Sequence, residues 1–146
     1  MMPLLDFWVP GHAKTKGSLE PRAPKCHCCT ACRGYARMPQ LRDTPGSKRW
    51  RGLVAYAATQ AMRRAPRAWP LKGPVEMALV YRLAVTEEEL IEQGAGDIDK
   101  LERNIFDALQ DAGVYANDAQ VVRCAHEKVA VVDFGVRIMV AMVGEG

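Results

Sequence analysis

The sequence predicts an α/β (α+β) domain of two layers, a small mixed β-sheet of about four strands with two main helices on one face. Three observations predict it: period-two runs near the start, middle and end of the chain, helical-period runs between them, and a length of 146 residues, 49% of them hydrophobic. That length fits a single domain, 1–146, with enough apolar material for a core. No stretch approaches the roughly 18 consecutive apolar residues of a membrane span. The first ten residues lack the basic leader and small-residue cleavage site of a secretory signal. A soluble, cytoplasmic protein is expected.

Leu5, Phe7 and Val9 alternate with Asp6 and Trp8 until Pro10-Gly11, the period of a half-buried strand. Residues 12–47 show no sustained apolar period and read as a long loop, with a basic, Cys-rich insertion at about 20–45. Gly46 or Ser47 can start a helix on which Trp50, Leu53, Val54, Ala57 and Ala61 recur before Pro66. Val75, Met77, Leu79, Tyr81 and Leu83 form the next strand, and charge and glycine break it at 87–96. Leu101, Ile105, Ala108, Leu109 and Ala112 share one helix face that Gly113 terminates. Residues 121–132 read as a strand, Asp133-Phe134-Gly135 as a tight turn, and Val136, Ile138, Val140 and Met142 as its hairpin partner.

Charge is unevenly spread. Residues 1–70 hold thirteen Lys or Arg against three acids, whereas residues 71–146 hold seven against fourteen. A basic half suits a polyanion, because Lys and Arg displace the counterions condensed on phosphates. An acidic half suits a hard divalent cation. Lys48, Arg49 and Arg51 crowd the first turn of the first helix, against its dipole, an arrangement that bound phosphate would offset. With Lys14 and Lys16 they are the candidate DNA-binding residues, and Arg22, Lys25, Arg33 and Arg37 in the insertion suit DNA contact as well.

The informative segment is GDIDKLERNIFDALQDAGVYANDAQVV, residues 96–122. Asp97 and Asp99 stand two apart on an extended entry into a helix, and Asp118 precedes the next strand. If that strand lies beside the entry, three carboxylates converge. They stay ionised together only when a cation offsets their repulsion, which points to Mg²⁺ or Mn²⁺ and phosphodiester hydrolysis. Arg103, one turn after Asp99, can bind phosphate or hold Asp99. Structural explanations compete: Asp99 and Glu102 form a capping-box pattern, Arg103 and Asp107 an ordinary helix ion pair, and Asn117-Asp118 an ordinary turn.

The segment resembles the signature of the RusA family of Holliday junction resolvases, in which D-x-D-N-x-x-K opens a helix reading roughly F-D-A-L and D-D-x-Q-V follows. The match is Asp97-Ile98-Asp99, Phe106-Asp107-Ala108-Leu109 and Asn117-Asp118-Ala119-Gln120-Val121. It extends over most of the chain except about 20–45. The resemblance implies a homodimeric, Mg²⁺-dependent endonuclease that nicks opposed strands of a four-way DNA junction, with Asp97, Asp99 and Asp118 as metal ligands. Two departures bear on catalysis. Lys100 replaces the family's Asn, and Arg103 replaces its catalytic lysine, so either cation can take that role. Asn117 replaces the first acid of the second pair.

Cys26, Cys28, Cys29 and Cys32, with His27 among them, have spacings compatible with a structural Zn²⁺, completed by Cys124, His126 or a second subunit. The alternative is a loop of reduced thiols. Two other functions compete with a resolvase: a less selective nuclease on branched DNA, and a non-catalytic nucleic-acid-binding protein with a zinc knuckle.

Overall fold

The computed structural model describes residues 1–16, 18–21, 39–42, 45–92 and 95–145. The expectations for Cys26, Cys28, Cys29, Cys32, Arg22, Lys25, Arg33 and Arg37 therefore lie outside the described residues.

β1 (Leu5–Pro10) is followed by two short strands, β2 (Ser18–Pro21) and β3 (Pro39–Arg42). Then come α1 (Ser47–Arg64), β4 (Val75–Leu83), α2 (Ile98–Ala112), β5 (Val121–Ala130) and β6 (Gly135–Met142). Four strands form a mixed sheet in the order β1-β6-β4-β5. The β4 and β5 strands run parallel, joined through α2, and the other two pairings are antiparallel.

One face of the sheet forms the core. Leu5, Val9, Val75, Met77, Leu79, Tyr81, Val136, Ile138 and Val140 pack against Trp50, Val54 and Ala58 of α1 and Leu101, Ile105, Ala108 and Leu109 of α2. The strict alternation of burial along β4 is what a strand covered on one face requires. On the opposite face Arg137 forks onto Asp6 at 2.6 and 2.9 Å, and this hydrogen bonding holds the Asp6 carboxyl below the usual carboxylate range.

Three expectations need correction. Residues 12–47 are not all loop, because β2 pairs with β3 in an antiparallel ribbon with Leu19 opposite Leu41. Each strand carries too few apolar residues to show a period. The β5 and β6 strands are not hairpin partners either. β4 lies between them, because the crossover through α2 sets β5 on one side of β4 and the antiparallel return sets β6 on the other. Finally, Asp97 alone is extended, at the N-cap, whereas Asp99 already lies within the first turn of α2.

Candidate active site

Asp97 caps α2 in extended conformation, yet its side chain makes no capping hydrogen bond, so the capping role does not explain it. Its carboxylate lies 3.5 Å from Lys100 Nζ, and that of Asp99 lies 3.4 Å from Arg103. Both acids are more than half exposed. The expected Arg103–Asp107 pair is not formed. Asp107 instead accepts from Lys16 at 2.6 Å and lies 3.6 Å from Arg51, joining three segments of chain.

Glycine is required immediately before Asp97. Gly96 has φ +84°, and a Cβ there would meet Thr15 Cγ2 at 2.8 Å. The Lys14–Lys16 stretch therefore packs closely along the start of α2, where Lys16 N–H also donates to Lys100 O at 3.0 Å. Asn104 completes this junction. Fully buried, its amide donates to Lys14 O at 2.7 Å and to Ser47 Oγ at 2.9 Å, knitting the first turn of α1 to α2. The sequence gives little sign of it, since Asn104 lies amid apolar positions of the helix. Asn104→Leu should destabilise the fold by about 2 to 4 kcal/mol, because it takes the partner from the buried Ser47 hydroxyl and from the partly buried Lys14 carbonyl. Urea denaturation checks this, and a loss below about 1 kcal/mol would show that the junction relaxes.

The candidate DNA-binding residues surround the same junction. Lys14 and Lys16 are partly buried on the segment after β1, whereas Lys48 and Arg49 are exposed on the first turn of α1, which contains no acid. Arg51 is partly buried beside Asp107.

Asp118 is elsewhere. It opens a short 3-10 helix, Asp118–Gln120, capped by Asn117, whose side chain accepts from Ala119 N–H at 2.8 Å. Asn117 thus has a structural task. Gln120 accepts from the backbone N–H groups of Ala116 and Asn117 and donates to the carbonyls of Leu71 and Gly73, fixing the turn against the entry to β4. The Asp118 carboxylate has no hydrogen bond or ion pair among the described residues, while its backbone N–H donates to the Gln110 side chain. Gln110 is eleven residues beyond Asp99 on α2, an axial separation of about 16 Å. Asp97 and Asp99 therefore mark one end of the helix and Asp118 the other. The three do not meet within one chain, because β5 begins at the end of the sheet remote from the start of α2.

Among the described residues, one group of three metal-ligating side chains does converge, Glu102, Cys124 and His126. Nearby, Lys128 reaches from β5 to the carbonyls of Leu90 and Gly96 at 2.7 and 3.1 Å, holding the segment that leads into Asp97. Burial, with Glu102 beside it, pushes the Cys124 thiol up to about 12. Burial, reinforced by Cys124 and Glu102, likewise keeps the Tyr81 hydroxyl neutral.

An acidic helix start flanked by cationic segments, on a two-layer α+β domain, is an arrangement suited to a polyanion. The family model of endodeoxyribonuclease RusA matches residues 29–141, and the chain belongs to the RusA endodeoxyribonuclease family. Membership implies Holliday junction resolvase activity and binding to branched DNA. No individual curated protein matches the chain. Among the described residues no helix is long and apolar enough to cross a membrane. The shared pattern divides physically: Phe106, Ala108 and Leu109 pack against or within the core and Asp107 ties segments together, while Asp97, Asp99 and Asp118 have exposed carboxylates with no comparable structural task.

Proposed function

We propose that the protein is a Mg²⁺-dependent endodeoxyribonuclease, also served by Mn²⁺, that resolves four-way DNA junctions as a homodimer by paired symmetric nicks. The observation that carries this reading is the start of α2. There Asp97 and Asp99 stand exposed and unused as caps, beside Lys100 and Arg103 and next to the basic segments at Lys14–Lys16 and Lys48–Arg49. Carboxylate oxygens are the donors that a hard divalent cation takes, and such an ion would supply activation of water and stabilisation of the leaving oxygen. Asp97 and Asp99 would hold it, and the flanking cations would orient the phosphate. Asp118 would reach that ion only from a second copy of the chain, since its own Asp97 and Asp99 lie at the far end of α2. The dimer and the third ligand are thus a single hypothesis. The whole chain acts as one domain with the Cys-rich insertion at about 20–45.

Cleavage of a synthetic four-way junction, compared with a fork and a plain duplex with and without Mg²⁺, tests the reading. Metal-dependent nicking confined to the junction is expected. Equal cleavage of the fork would favour a less selective nuclease, and binding without cleavage would favour a non-catalytic protein. Arg103→Ala should lose roughly 10²-fold or more in rate, the scale for removing a preorganised charge from a transition state. Normal cleavage by Arg103→Ala with failure of Lys100→Ala would assign the role to Lys100.

A further inference from the structure

Alternate residues of β5 face the helical layer, and Cys124 and His126 occupy that face opposite Met77 and Leu79 of β4. Glu102 reaches them from α2, and the ligand atoms of all three side chains lie within 4.8 Å of one another. A simple His–Glu pair does not account for the details. Glu102 Oε2 lies only 2.6 Å from His126 Nδ1, yet it is buried without a hydrogen-bond partner, so the ring N–H is not directed at it. The Tyr81 hydroxyl, on the same face of the sheet, is also buried and unpartnered. The close but undirected contact of Glu102 Oε2 with the His126 ring is one that a cation shared by the two side chains would relieve.

We infer that Glu102, Cys124 and His126 form a Zn²⁺ site linking α2 to β5. One sulfur, one nitrogen and one oxygen donor make a set that Zn²⁺ accepts and that Mg²⁺ or Ca²⁺, which prefer oxygen alone, do not. Zinc bond lengths of about 2.0 to 2.3 Å place tetrahedral ligands roughly 3.3 to 3.8 Å apart, a spacing that side-chain rotation can reach from the present one. Water would fill the fourth position. His126 is about a third exposed, 31%, which gives an ion access from solvent. The site is separate in chemistry from the carboxylates of Asp97 and Asp99, and the inference does not rest on the nuclease reading.

The test measures metal content rather than cleavage. The full chain is equilibrated with Zn²⁺ and dialysed, alongside Cys124→Ser, His126→Gln and Glu102→Gln. Cys124→Ser and His126→Gln should each hold one equivalent fewer per chain, and Glu102→Gln should bind at least tenfold more weakly. Metal held at Cys26, Cys28, Cys29 and Cys32 alone is common to all and cancels, and a site there completed by Cys124 or His126 is removed by replacing those four cysteines. In a chain with those four cysteines replaced by Ser, Co²⁺ should give a thiolate-to-cobalt charge-transfer band that disappears on adding Cys124→Ser. Unchanged stoichiometry in folded His126→Gln, at a solvent-reached position, would overturn the proposal even if Cys124→Ser fails to fold. Absence of the cobalt band in a folded chain would overturn it equally.

Discussion

Asp97→Asn, Asp99→Asn and Asp118→Asn should each abolish junction cleavage while leaving junction binding intact or tighter, since a negative charge facing phosphate is removed. The structure adds a sharper expectation. If Asp118 completes the site of a second copy, a mixed dimer of Asp97→Asn and Asp118→Asn chains combines both lesions in one site and leaves the other intact. Co-refolding the two inactive proteins in equal amounts would form about half mixed dimers, restoring about a quarter of the sites. Such dimers should nick one strand without the paired cut on the opposite strand. Continued inactivity of demonstrably mixed dimers would overturn a site shared between two chains. A single Asn variant with near-normal cleavage at saturating Mg²⁺ would exclude that residue.

Junction affinity should fall by on the order of 10³-fold or more between 50 and 200 mM salt, the consequence of about 6 to 10 phosphate contacts in a dimer. The structure indicates which cations to test. Lys16 and Arg51 are partly buried around Asp107, so replacing them alters the α1–α2 junction as well as any contact with DNA. Lys48 and Arg49 are exposed at the start of α1. Replacing both by Glu should reduce the steepness of log affinity against log salt by about 3 to 4 units per dimer, with no loss of thermal stability. The measurement belongs in the Asp97→Asn background, where cleavage does not distort binding. An unaltered slope would put the DNA on another surface.

Much of the fold is legible in the chain because its strongest elements are periodic. Val75 to Leu83 alternate without a break, and Leu101, Ile105, Ala108 and Leu109 form one helix face. Pairing is less legible. Residues 121–142 look like a hairpin because two strands flank a turn, but the order of strands depends on the whole sheet, which no local window contains. The candidate site is legible where identity and spacing coincide, at Asp97 and Asp99. It is illegible where function depends on what lies across space: Glu102 meeting Cys124 and His126, or Asn104 meeting Ser47 and Lys14. The separation of Asp118 has the same origin, since proximity in sequence to a helix does not say which end of it a turn will adjoin.

Lys128 binds the carbonyls of Leu90 and Gly96 with one ammonium, so both ends of that excursion share one anchor on β5. The start of α2 and the strand beside it are therefore tied through one side chain. Opening of this helix start, visible as amide exchange at residues 95–99, requires loss of that anchor but not of the core beneath α1. The free energy of this local opening, rather than the global stability of the protein, sets how often Asp97 is out of place.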